Sequence, residues 1–294
     1  MESSPLISIG LPVSLFIIMV GIGLTLTLRD FGQVTRNPRS IVVGTVAQIL
    51  LMPLVAFGIA ATLGLAPALA VGLVIIAACP GGTTSNLFVL LARGHIALSI
   101  LLTVSASLIT IITLPFFTNY ALQLYFGEAA NISLPVGKTI AMLVVIVLLP
   151  VSIGMFIRTR APATAQKAEG IVSIFGGVVL LLLIIALLWG SRDRLPELLS
   201  QAGPAAFLLN LIGIAIGLGV SRMVGLSQRE SLAVAVELGI KNGTIALMVA
   251  LTLLESSEMS IPAVVYSVLM YGFGCILIAM GRRLVPAPQK AVTD

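Results

Sequence analysis

Glu237-Leu238-Gly239-Ile240-Lys241-Asn242-Gly243-Thr244 interrupts an apolar run from about 229 to 254. A carboxylate and an ammonium group, four residues apart, sit in the middle of a stretch long enough to cross a bilayer. A charge there costs several kcal/mol, by default the mark of a functional site. Gly239 and Gly243 flank a polar stretch that is poor helix material, so this segment predicts a helix broken at mid-membrane. An i, i+4 ion pair serving only folding is the alternative reading, but such a pair gains little over well-packed apolar residues.

The rest of the chain fits a membrane protein around that segment. Of 294 residues, 59% are hydrophobic and 9% charged, against about 25% charged in an ordinary soluble domain. The apolar stretches are continuous rather than alternating, which excludes a β-barrel. Low aromatic content and a net charge of +5 argue against a nucleic-acid partner, and Cys79 and Cys275, each in an apolar stretch, make no disulfide framework. Nine apolar runs are legible, at about 6–28, 40–63, 67–91, 96–125, 135–157, 170–190, 202–221, 229–254 and 260–281. With the amino terminus outside, inside segments hold twelve Lys and Arg, and outside segments only Lys138, Arg192 and Arg194. This predicts an all-α polytopic protein with its amino terminus outside and its carboxyl terminus inside. The first run reads as a retained helix because Met1 to Ser8 carries Glu2 and no positive charge. The tail after Arg283 reads as a short disordered end, and the whole of 1–294 as one membrane domain without an extramembrane unit.

A second interruption lies in the third run, at Cys79-Pro80-Gly81-Gly82-Thr83-Thr84-Ser85-Asn86. Proline removes a backbone donor, two glycines follow, and four hydroxyl or amide side chains come next. A kinked helix recapping its own backbone is the bland reading. The third and eighth runs are an odd number of spans apart, so the two broken segments run in opposite directions, the pattern of a secondary transporter with inverted repeats. Half-helices starting near Thr83 and near Asn242 would turn their positive ends toward mid-membrane and favour an anion. Unwound carbonyls and Glu237 would offer oxygen ligands to a hard cation such as Na+.

These residues resemble the bile acid:sodium symporters and their bacterial relatives. The likeness is carried by Gly23-Leu24-Thr25-Leu26, Ala47-Gln48 with Met52-Pro53, Cys79 to Asn86, Ala92 to Ser99, and Glu237 to Asn242. It implies two broken crossing helices in a core domain, about 40–125 and 202–281, packed on a panel of about 6–28 and 135–190. It implies a nine-helix variant working by alternating access in the cytoplasmic membrane. The implied first cation site is Ser85, Asn86, Ser99, Thr103 and Glu237. The implied second uses Gln48, Glu237, carbonyls near Leu238 and Ile240, and a glutamine of the E-x-G-x-Q-N pattern. Here that glutamine is Lys241. An ammonium group there would take the place of the second ion, leaving coupling to one Na+, or to a proton if Lys241 titrates in the cycle. Thr83, Thr84 and Asn242 are the expected contacts of a small organic anion, bile-acid-like or a small carboxylate such as pantoate.

Na+ is the only metal expected, as coupling ion; no cofactor, catalytic residue or obligatory protein partner is implied. A uniporter or channel is the rival reading. A membrane-embedded enzyme is disfavoured by the lack of an intramembrane Asp pair, a His-Glu-x-x-His or a Gly-x-Ser-Gly with an intramembrane His. Cys79 beside Pro80 is also a feature of arsenite carriers, but the Gly-Gly-Thr-Thr-Ser-Asn run fits the bile acid symporters better. His95 reads as an interfacial residue, Gly213 and Gly217 with nearby Gly219 as helix packing, and Tyr120, Tyr125 and Trp189 as belt anchors.

Overall fold

The computed structural model describes residues 10–27, 38–127, 133–190, 192 and 195–286. Among them every regular element is helical: α1 (Leu11–Leu24), α2 (Pro38–Leu63), α3 (Pro67–Ala78), α4 (Thr83–Leu91), α5 (Ile96–Phe126), α6 (Val136–Arg160), α7 (Pro162–Gly190), α8 (Leu195–Met223), α9 (Gln228–Gly239), α10 (Gly243–Leu253) and α11 (Ser257–Leu284). Five of these, α2, α5, α6, α8 and α11, are long and apolar enough to cross a membrane. Each of the two runs expected to be broken is two helices, α3 with α4 and α9 with α10.

Helix ends differ from the apolar runs in a consistent way. α7 starts at Pro162 rather than about 170, and α8 at Leu195 rather than about 202. Pro162 and Pro196 suit a first helical turn, where the missing N–H has no intrahelical role. Hydropathy registers only the apolar part of a helix and misses its polar end turns. For the same reason Arg39, Lys138, Arg158, Arg160, Lys167, Arg222 and Arg229, read as loop residues, lie on helical end turns. Arg29, Arg36, Arg194 and Lys290 lie outside the described residues.

Three of these helices carry π-helical turns, Ala47–Leu51 in α2, Val144–Leu148 in α6 and Val249–Leu253 in α10, and the first two are each followed two residues later by proline, Pro53 and Pro150. Proline has no N–H and its ring crowds the carbonyl four residues back, so the preceding turn widens. In α2 that wider turn carries Gln48, which is buried.

Two sets of helices can be told apart by packing. α1 lies against α6 and α7, while α8 packs on α9 and α11, and α3 on α5 and α11. In α3 residues 69–78 are all buried, and in α9 residues 231–239, so both broken spans run through the interior. α7 instead exposes Ile171, Ile174 and Trp189, each about 70% accessible, the mark of a lipid-facing helix. α8 meets α9 through small residues. A Cβ at Gly217 would lie 2.6 Å from Ala235 Cα, and one at Gly213 2.8 Å from Met52 Cε, whereas Gly219 faces open space. The packing role read for Gly213 and Gly217 therefore holds, and Gly219 takes no part. Gly217→Leu is expected to separate α8 from α9 at a cost of about 3 kcal/mol or more. Thermal unfolding in detergent should show a clear loss of stability, while Gly219→Leu leaves the transition in place.

Candidate functional site

The two breaks cross as short extended segments. Chain direction leaves the helix at Cys79 (ψ 150°) and re-enters after Gly82 (ψ 165°); the second break is extended at Ile240 (ψ 98°) and Asn242 (ψ 86°). Gly81 and Lys241 form an antiparallel bridge. The Asn242 N–H donates to the Pro80 carbonyl at 2.8 Å, and the Gly82 N–H to the Ile240 carbonyl at 3.3 Å. Each break thus satisfies backbone groups that the other leaves open, which is what makes unwound chain tolerable in the interior of a membrane protein.

Glu237, on the last turn of α9, points its carboxylate into a ring of hydroxyl groups. Ser85 Oγ and Ser99 Oγ each donate to Oε1 at 2.5 Å, and Thr103 Oγ1 donates to Oε2 at 2.9 Å. Ser99 and Thr103 are one turn apart on α5, hence on one face, and Ser85 comes from α4. Ser99 Oγ also reaches Asn86 Oδ1 at 2.8 Å. Ser85, Ser99, Thr103 and Glu237 are fully buried or nearly so. Of the expected cation ligands, five therefore meet in one place, drawn from α4, α5 and α9. The donor set is all oxygen, with one carboxylate, which suits a hard monovalent cation and no soft metal. A cation entering the ring would take the carboxylate lone pairs while the hydroxyl groups rotate to present oxygen. Gly81 completes it, because a Cβ there would run into Glu237 Oε2.

Gln48, the sixth expected ligand, lies near this group, its Nε2 3.5 Å from where a Cβ on Gly81 would be. It is buried, and neither atom of its amide has a hydrogen-bond partner among the described residues. Lys241 is buried as well, and its Nζ donates to the carbonyl of Cys79 at 3.1 Å. The helical i, i+4 pair considered from sequence requires continuous helix between the two residues, and the chain leaves the helix at Ile240. Lys241 instead ties the second break to the first.

Sequence reasoning missed two residues that brace the crossing. Tyr266 Oη, from α11, donates to the carbonyls of Leu238 and Gly239 at 3.3 and 2.9 Å, and Asn210 Nδ2, from α8, donates to Gly239 at 3.1 Å. Asn210 was the available signal, an isolated amide in an apolar run. Tyr266→Phe is expected to leave the Leu238 carbonyl without its donor at a cost of about 1–2 kcal/mol, read as a lower unfolding temperature. His95 also has a definite role, since its Nδ1 accepts from Leu98 N–H at 3.1 Å and so caps α5.

Beside the crossing, a small pocket is lined by Gly82, Thr84, Lys241, Asn242, Gly243 and Thr244, with Met270 and Tyr271 of α11, Ile18 of α1 and Gly176 of α7. Thr84 and Asn242, two of the expected anion contacts, thus line one pocket; the side chain of Thr83 lies outside the described part. Asn242 Oδ1 caps α10 by accepting from Ile245 N–H at 3.1 Å, which leaves its amide nitrogen for a ligand. A larger cleft of about 370 Å³ opens between α4 and α5 on one side and α1 and α7 on the other, with Asn86, Leu87, Leu90, Ile96 and Ile100 facing Gly21, Thr25, Val172 and Ile174. Asn86 belongs to both the cleft wall and the hydroxyl ring.

Residues 12–197 match the model of the sodium bile acid symporter family, more than half of the chain. The chain belongs to that family. It is 31% identical over 287 residues to the "Uncharacterized sodium-dependent transporter YocS" of Bacillus subtilis, covering 96% of this chain and 86% of that protein. It is 30% identical over 286 residues to the "Probable sodium/metabolite cotransporter BASS2, chloroplastic" of Oryza sativa subsp. japonica, covering 95% of this chain and 65% of the other. The human "Sodium/bile acid cotransporter 4" is 29% identical over 233 residues, or 78% of this chain and 52% of its own. This is a family of sodium-dependent transporters, so the chain is a multi-pass membrane transporter and not an enzyme.

Proposed function

We propose that the chain is a Na+-coupled symporter of a small organic anion, working by alternating access in the cytoplasmic membrane. The observation that carries this is the convergence of Ser85, Ser99 and Thr103 on Glu237 beside two helix breaks. In this reading Ser85, Asn86, Ser99, Thr103 and Glu237 hold the Na+, and Gln48 flanks the carboxylate. Thr83, Thr84 and Asn242 take the anion at the starts of α4 and α10, whose dipoles favour negative charge. α3 with α4, and α9 with α10, each count as one span, which makes nine, with the amino terminus outside and the carboxyl terminus inside. α1, α6 and α7 form the panel and the remaining helices the core. On that topology the cleft beside Asn86 lies in the cytoplasmic half, and Asn86, shared between cleft and ring, is the route by which cation release and anion release are linked. The family names carried by relatives support Na+ and a metabolite or bile acid as classes of cargo.

Purified chain in liposomes, given labelled cholate or pantoate and an inward Na+ gradient, is the test. Accumulation above equilibrium that collapses with a Na+ ionophore supports symport; uptake indifferent to the gradient makes the protein a uniporter or channel. Ser99→Ala is expected to weaken the apparent Na+ affinity about tenfold, because one oxygen of the ring is lost. The Na+ dependence of uptake measures this directly, and an unchanged half-saturation would remove Ser99 from the ring.

A further inference from the structure

Two ionisable side chains lie at the crossing, and the oxygen atoms around them decide how many cations the site takes. In the second break each carbonyl already receives a donor: Leu238 from Tyr266 at 3.3 Å, Gly239 from Tyr266 at 2.9 Å, Ile240 from Gly82 N–H at 3.3 Å and Lys241 from Gly243 N–H at 3.1 Å. In the first break the Cys79 carbonyl accepts from Lys241 Nζ at 3.1 Å and the Pro80 carbonyl from Asn242 N–H at 2.8 Å. A cation needs several oxygens with lone pairs to spare. The ring about Glu237 supplies several, a carboxylate and three hydroxyl groups that can turn, while outside it Gln48 Oε1 is buried without a hydrogen-bond partner among the described residues. Lys241 Nζ, held on the Cys79 carbonyl, puts an ammonium group at the same crossing, where it repels a second cation in a poorly solvated interior.

We propose that this chain carries a single Na+ per cycle, and that Lys241 is a tethered counter-charge that makes the empty carrier electrically neutral. This rests on the symport reading above. Glu237 and Lys241 sum to zero charge, and adding one Na+ with one monovalent anion again gives zero. Both the loaded and the returning carrier therefore cross the membrane field without net charge. A cycle moving one net charge would feel about 2.3 kcal/mol per 100 mV, up to about 50-fold in rate. The cycle proposed here feels none.

Equilibrium binding of ²²Na+ to the purified full-length chain tests the count. One Na+ per chain with a Hill slope near 1 is expected, and two per chain overturns the proposal while leaving symport intact. No binding at all overturns the symport reading together with it. In proteoliposomes clamped with K+ and valinomycin, Na+-driven uptake of the labelled cholate or pantoate that accumulates is expected to change less than about twofold over 100 mV. A dependence of tenfold or more overturns neutrality. Lys241→Gln removes the ammonium group and frees the Cys79 carbonyl, so bound Na+ should rise to two per chain and uptake should become voltage-sensitive. Since that variant can fail by misfolding, Lys241→Met is run beside it: it keeps the volume, and its uptake should also become voltage-sensitive. A folded Lys241→Met protein that remains indifferent to voltage contradicts the assignment.

Discussion

Replacing Glu237 with Gln is expected to reduce Na+-driven uptake to the leak of empty liposomes, with the chain still assembled in the membrane. The substitution keeps the shape of the side chain, and the hydroxyl groups of Ser85, Ser99 and Thr103 can turn to meet an amide. What it removes is the one full negative charge in a ring that is otherwise neutral oxygen. The attraction between that charge and a partly desolvated cation amounts to about 4 kcal/mol at an effective dielectric of 20, a loss of about 10³-fold in affinity. Lys241 sharpens the effect, because without Glu237 the crossing carries a net positive charge and repels Na+. Size-exclusion profile and unfolding temperature in detergent check assembly; ²²Na+ binding and driven uptake check function. Retained accumulation in a folded Glu237→Gln protein would move the cation site elsewhere.

Gly81→Ala is expected to be nearly as damaging, and Gly82→Ala is its control. A methyl group at 81 would run into Glu237 Oε2, so the carboxylate must turn away from Thr103 or the two breaks must part. Parting them loses the bridge between Gly81 and Lys241. At Gly82 the nearest atom a Cβ would meet is the Lys241 carbonyl oxygen at 3.3 Å, which a shift of a few tenths of an ångström accommodates. Both glycines have backbone angles open to other residues, so the difference between them is one of space. Uptake should fall about 100-fold or more in Gly81→Ala, equivalent to about 3 kcal/mol lost at the cation site, and stay within about threefold of wild type in Gly82→Ala, where the shift costs well under 1 kcal/mol. Equal loss in both variants would mean that the segment tolerates no side chain at all, and that the contact with Glu237 is incidental.

The crossing was legible in the sequence because charge is scarce at membrane depth. Glu237 and Lys241 stand out in an apolar run, and Pro80-Gly81-Gly82 marks the other break without any need of a structure. Counting runs predicts that the two spans run in opposite directions, and the extended segments of the two breaks pair in an antiparallel bridge. Less legible was what each polar side chain does once there. Lys241 reads as a partner of Glu237 by spacing, yet its nitrogen lies on the Cys79 carbonyl, because the break at Ile240 swings the chain out of helical register.

Residues that hold the breaks open carried weaker signals. Tyr266 lies in the eleventh helix among apolar and small residues, where an aromatic side chain reads as packing, and only its distance to Leu238 and Gly239 reveals what the hydroxyl group does. Helix ends were misplaced for a different reason. The first turns of α7 and α8 are polar, and proline at their start organises them, so a hydropathy window begins several residues late. The π turn that carries Gln48 was likewise invisible as such, although Pro53 follows it by two residues.

Everything proposed for transport depends on a monovalent cation being held by Glu237 within the ring of Ser85, Ser99, Thr103 and Asn86. Crystals grown in Na+ and soaked with thallous ion, a heavy monovalent cation that Na+ can displace, test this by anomalous scattering. A single peak is expected at the crossing, within ligand distance of Glu237, weakened by excess Na+ and absent in Glu237→Gln. A peak elsewhere in the chain, with the ring around Glu237 left without one, would contradict it.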